Sequence, residues 1–217
     1  MARRPTPLVI AGRLQFIVAA VVIPDVTPAP DCYISTYRDY LERFARVTEA
    51  RAWTTERVIE HVGIVYTWMR RHPSYVVDLA VAEQFAEALN DGADEERLMM
   101  LASRLVNNSM VGGSKFLHFY DPVRFPITDD WLRKNLSGMP GHSVYGLDFY
   151  RNWVSGVRLV EAEHAARAVK WASKAFGYDV MPARAVEGLA FYFIKSLGEQ
   201  ARLELRTTLR EQFANAA

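Results

Sequence analysis

From Ser35 to the carboxyl end, apolar residues recur every three or four positions, and prolines, glycines and Asn/Asp clusters separate the runs. Tyr37, Tyr40, Leu41, Phe44 and Val47 fall on one helical face, with Arg38, Asp39, Glu42, Arg43 and Arg46 on the other. Val58, Ile59, Val62, Val65, Tyr66 and Met69 repeat the pattern after a capping Thr54 or Thr55, and Arg70, Arg71, His72 and Pro73 close that run. Further helices are expected over Tyr75 to Leu89, from about Ala93 through Val106, and from Ser143 to about Phe176, the last with a break near Ser155-Gly156. Gly177 is a C-terminal stop and Pro182 a helix start, and a final helix carries Leu203, Leu205, Leu209 and Phe213. No stretch alternates as a half-buried strand does. The expected fold is therefore mainly α, an irregular multi-helix array with one short apolar N-terminal element, strand or buried helix.

That element is the run from Leu8 to Ile23, preceded by Arg3-Arg4. Basic then apolar is the grammar of a targeting segment, but Arg13 and Gln15 interrupt it and no small-residue cleavage site follows. A buried core element is the better reading, and no membrane association is expected. Pro24, Pro28 and Pro30 make 24–31 a linker, which gives an expected organisation of 1–31 as an N-terminal element plus linker and 32–217 as a single helical domain.

Composition limits the partners. In 217 residues, Lys and Arg total 26 against 25 Asp and Glu, a net charge of +1, so a uniform basic coat for nucleic acid is excluded while a local patch is not. The single cysteine, Cys32, permits no intrachain disulfide and no paired-cysteine metal site, in keeping with a reducing cytoplasm. The histidines show no ligand spacing, so neither a metal nor another cofactor is expected. Tyr145, Phe149, Tyr150, Trp153 and Val157 form an aromatic stripe that reads first as a core face and second as a pocket wall for a small molecule.

Chemistry concentrates between residues 111 and 131. Gly112-Gly113 stands between two helical runs, as in a hairpin turn whose backbone N–H groups and Ser114 can hold a phosphate, and Lys115 follows. After His118-Phe119-Tyr120 and the turn Asp121-Pro122, the extended Phe125-Pro126-Ile127 leads to Thr128-Asp129-Asp130. Asp129 is also well placed to cap the next helix, Lys115 to be an ordinary solvated lysine, and Asp121 to cap a helix opened by Pro122.

Gly113-Ser114-Lys115 and Phe125-Pro126-Ile127-Thr128-Asp129 together resemble the core of the helix-hairpin-helix DNA glycosylase superfamily, in its 8-oxoguanine-glycosylase branch. There a glycine-rich hairpin supplies a catalytic lysine, and a short Val-Pro-Val-Asp segment supplies a catalytic aspartate at the start of the next helix. The same residues resemble a Ser-Lys-x-Leu-His-Phe…Phe-Pro-Ile-x-Asp pattern in bacterial proteins of no assigned activity. The lysine-to-aspartate connection is shorter here, Thr128 is an added residue, and the glycines are adjacent. The resemblance implies Lys115 as amine nucleophile, with Asp129 or Asp130 offsetting positive charge on the sugar. It also implies damaged DNA as partner, with Phe119, Tyr120 or Trp131 stacking on an extruded base. Without that chemistry, a helical interaction protein or homo-oligomer is expected.

Overall fold

The computed structural model describes residues 5–20, 32–70, 75–137 and 146–213. The expected proline linker at 24–31, the helix stop at Pro73, the expected helix start at Ser143 and the aromatic Tyr145 lie outside them, as do Val21 to Ile23, Arg71, His72 and His142. Every regular element among the described residues is an α-helix, and the only pairing of extended backbone is one antiparallel bridge between Val77 and Val106. The mainly α expectation holds.

The chain divides into two compact units, residues 30–125 and residues 1–29 with 126–217. Residues 32–217 thus do not form one unit: the chain begins in one, builds the other, and returns.

The contiguous unit contains α2 (Cys32–Ser35), α3 (Tyr37–Glu49), α4 (Thr55–Trp68), α5 (Leu79–Asn90), α6 (Glu95–Leu105) and α7 (Met110–Tyr120). Thr54, Asp78 and Asp94 each cap a helix by accepting the backbone N–H three residues on. The third helix starts at Leu79 rather than Tyr75, because Val77 is drawn into the bridge with Val106 and Asp78 takes the cap. Nine of the eleven residues of α7 are buried, so it is the core helix of this unit. Phe116 lies edge-on to Phe44 at 5.0 Å and near Phe85 at 5.2 Å, and Phe119 is edge-on to Trp68 at 5.0 Å.

The other unit contains α1 (Pro7–Ala20), α8 (Asp130–Leu136), α9 (Leu147–Arg158), α10 (Ala162–Phe176), α11 (Pro182–Ser196) and α12 (Glu199–Gln212). The N-terminal apolar element is a helix, not a strand. Apart from Arg13 and Gln15 its residues are apolar or small, and it packs on several sides, against α9, α10 and α11, with Val9, Ile10, Leu14, Ile17 and Val18 buried. At 14 residues it is about 21 Å long, and no helix among the described residues is long and apolar enough to cross a membrane. Gly156 does not break a helix, as expected near Ser155-Gly156, but lies inside α9; the break falls at Leu159 to Glu161. A Cβ on Gly156 would meet Ile10 at 2.6 Å, so its bare backbone is what lets α1 approach. Gly177, at φ +76°, is the left-handed stop of α10, and Pro182 opens α11.

Candidate functional site

The glycine pair is not the turn between α6 and α7. That turn is made by Val106 to Ser109, with Asn107 and Asn108 both at φ +50°, a conformation asparagine tolerates well. Gly112 and Gly113 are the third and fourth residues of α7, and the Gly113 N–H already donates to the Ser109 carbonyl at 3.2 Å. The pair serves close packing. A Cβ on Gly113 would stand 2.5 Å from the Ala102 carbonyl oxygen on α6, and one on Gly112 would stand 2.9 Å from the Tyr66 hydroxyl. Both glycines line a small apolar pocket with Val62, Val65, Tyr66 and Phe116, with room for about one water molecule. Ser114 is fully buried and its hydroxyl donates to the Val111 carbonyl at 3.0 Å.

Lys115 stands sixth in α7 rather than at its start. It is not a solvated lysine: it is 6% exposed, and its ammonium donates to the Val111 carbonyl at 3.3 Å. One helical turn on, His118 is fully buried between two partners. Nδ1 lies 2.7 Å from the Phe125 carbonyl, which can only accept, so this nitrogen carries the proton. In the neutral ring Nε2 then accepts from the Tyr37 hydroxyl, also at 2.7 Å.

The extended tripeptide before Asp129 is held at every carbonyl. His118 donates to Phe125, the Tyr150 hydroxyl to Pro126 at 2.9 Å, and Trp153 Nε1 to Ile127 at 2.9 Å. The aromatic stripe of α9 is thus a core face whose polar tips fix a backbone. Sequence reasoning missed this role of His118, Tyr150 and Trp153. The available signal was that a buried Tyr or Trp needs a partner for its polar tip, and the carbonyls of a proline-interrupted segment are free to accept.

Asp129 is the N-cap of α8, accepting the Leu132 N–H at 2.9 Å. Asp130 pairs with Arg133, a buried guanidinium whose Nε also donates to the Asp129 carbonyl at 3.3 Å. Asp121 caps no helix; its carboxylate accepts from the N–H groups of Val123 and Arg124 at 3.1 Å and closes a turn. Lys115 belongs to the contiguous unit and Asp129 to the other. Of the three aromatic candidates, Phe119 is buried in its unit's core and Trp131 is exposed. Tyr120 is half-buried and donates to the Leu89 carbonyl at 3.1 Å, and burial pushes its phenol above the ordinary value. Among the described residues no three His, Cys, Asp or Glu side chains cluster as metal ligands would.

No family model matches this chain, and no curated protein or solved structure is significantly similar to it.

Proposed function

We propose that this protein recognises DNA lesions in the manner of a helix-hairpin-helix glycosylase, with Lys115 as its amine nucleophile. One arrangement supports this reading. The helices α6 and α7 are joined by a four-residue turn into a hairpin whose second helix carries a buried lysine, and after an extended Phe-Pro-Ile segment the next helix opens on Asp129. That chain order is what the family resemblance implies. In the reaction, the neutral Lys115 amine attacks the sugar C1′ as the glycosidic C–N bond breaks. The base leaves with the electron pair, and the proton shed by the lysine nitrogen goes to the departing base. The aspartate of such a pair offsets positive charge developing on the sugar, and Asp129 holds the corresponding place in the chain.

A second reading, a non-catalytic helical interaction protein or homo-oligomer, is favoured by the partners these groups already have. Lys115 is bonded to Val111, Asp129 caps α8, Asp130 is paired with Arg133, and the net charge is only +1.

The deciding experiment compares a duplex carrying an abasic site with the same duplex undamaged, at two salt concentrations. Borohydride is added to reduce any imine formed between an amine and the abasic aldehyde. Tighter binding to the damaged duplex, with a covalent adduct lost in Lys115→Ala, is expected. No binding to either duplex at low salt would overturn the DNA reading, because non-specific phosphate contacts alone would register there. Concentration-dependent self-association would then support the second reading.

A further inference from the structure

The chain has five tryptophans. Trp53, Trp68, Trp153 and Trp171 are each at most 3% exposed, whereas Trp131 is 37% exposed. A tryptophan left at the surface while every other one is buried points to a contact made there. Trp131 lies in the first turn of α8, and the Arg202 guanidinium from α12 lies over its ring, 4.8 Å from the centroid. Arg202 is anchored by a hydrogen bond from Nη1 to the Leu197 carbonyl at 2.5 Å.

Arg202 begins a row. Arg206 and Arg210 follow at four-residue spacing on α12, so the three fall within an arc of about 80° and span about 12 Å of helix. Glu204 and Glu211 fall about 180–200° round from Arg202, on the opposite face, and only Glu199, in the first turn, shares the arginine side. Neither Arg206 nor Arg210 forms an ion pair among the described residues. Lys134, one helical turn after Trp131, is exposed.

A separate observation also asks for negative charge. Arg13 of α1 is 6% exposed; its Nη1 donates to the Leu136 carbonyl at 2.6 Å, and its Nε has no hydrogen-bond partner. Burial and the nearby charge of Arg210 hold its guanidinium below the usual value. A buried donor without an acceptor, close to a second cation, is stabilised by an incoming anion.

We propose that this α8–α12 face is a landing surface for a DNA strand, in which the arginine row holds successive phosphates and Trp131 stacks on an unpaired base. The inference rests on the DNA-lesion reading for its substrate and adds where the strand lies on this unit. A backbone-tracking row of cations ending in an aromatic platform is the general means of holding unpaired nucleotides without reading sequence. An acidic protein would use the arginines but not the ring.

Because the other tryptophans are buried, quenching of tryptophan fluorescence reports chiefly on Trp131. The test titrates the full chain with dye-labelled ten-residue oligothymidylate, abasic duplex and polyglutamate at two salt concentrations, reading binding from dye anisotropy in every variant and Trp131 quenching in wild type. Wild type is compared with Trp131→Ala and with the double variant Arg206→Glu/Arg210→Glu, each checked for an unchanged thermal melt. Oligothymidylate and the abasic duplex are expected to quench and polyglutamate not to. Trp131→Ala should weaken oligothymidylate binding about 5- to 160-fold, as loss of one stacked base does. The charge-reversal pair, with Arg210 exposed and Arg206 half-buried, keeps the test informative if Trp131→Ala misfolds and should flatten the salt dependence. Equal binding of DNA and polyglutamate, or DNA binding unchanged in both variants, would overturn the proposal. Damage-selective binding and the Lys115 adduct persisting in both variants would sink this surface alone and leave the lesion reading intact. No DNA binding by wild type would sink both.

Discussion

A single hydrogen atom decides how α6 meets α7. Replacing the Gly113 hydrogen by a methyl would press it to 2.5 Å from the Ala102 carbonyl oxygen, and backbone cannot swing aside as a side-chain tip can. Gly113→Ala is therefore expected to destabilise the protein by about 1–3 kcal/mol in urea denaturation. Gly146→Ala, where a Cβ meets nothing within 4 Å, should leave the midpoint nearly unchanged. Equal effects would refute the packing role of the pair. His61 carries a second residue-scale prediction. It is buried against Phe44 and Trp53, at 4.7 and 4.9 Å, and burial holds its imidazole below the ordinary 6.5. The unfolded chain then takes up a proton, as pH falls below 6.5, that the folded chain resists. The stability tied to a neutral His61 is full above pH 6.5 and declines as pH drops below it. His61→Phe should flatten that decline; an unchanged slope would place its origin elsewhere.

At the scale of elements, α8 shows how a candidate catalytic group also serves structure. Asp129→Ala removes the acceptor for the Leu132 N–H and should cost about 1 kcal/mol, the usual loss for an N-cap. Asp129→Asn keeps an oxygen in place and removes the charge. If Asp129 acts only as a cap, Asn should restore whatever Ala loses, in stability and in DNA binding or adduct formation alike. If it also stabilises charge on the sugar, Asn should rescue the melt but not the chemistry. The short segment ahead of it explains why α8 starts where it does. Proline at 126 leaves neighbouring carbonyls without helical partners, and His118, Tyr150 and Trp153 supply donors to three in succession.

For the whole molecule, the telling fact is that the chain's first helix belongs with its last five. Each fully buried Val, Leu or Ile is worth about 1.5–3 kcal/mol, and α1 buries five of them. That sum rivals the total stability of a small domain. Deleting residues 1–20 should therefore melt the unit built from 126–217, seen as lost amide-exchange protection across α9 and α11. Retained protection there would show α1 to be dispensable.

The helical class from Ser35 onward and several helix ends were legible because they depend on neighbours in the chain, while the N-terminal element stayed open between strand and helix. The 3.6-residue period, the caps at Thr54 and Asp129, the stop at Gly177 and Pro182 at a helix start are all local chemistry. What escaped reading depends on partners far along the chain. Gly113 and Gly156 looked like breaks and are close-packing points, because Ala102 and Ile10 stand against them. Tyr75 to Val77 carried a helical pattern but became extended, because Val77 pairs with Val106. Lys115 looked like a solvated lysine and is buried, because nothing in its own segment reveals that α7 is enclosed by its neighbours. Trp131 showed the same ambiguity in reverse: composition favours burying tryptophan, and only the packing of the other four set this one apart at the surface.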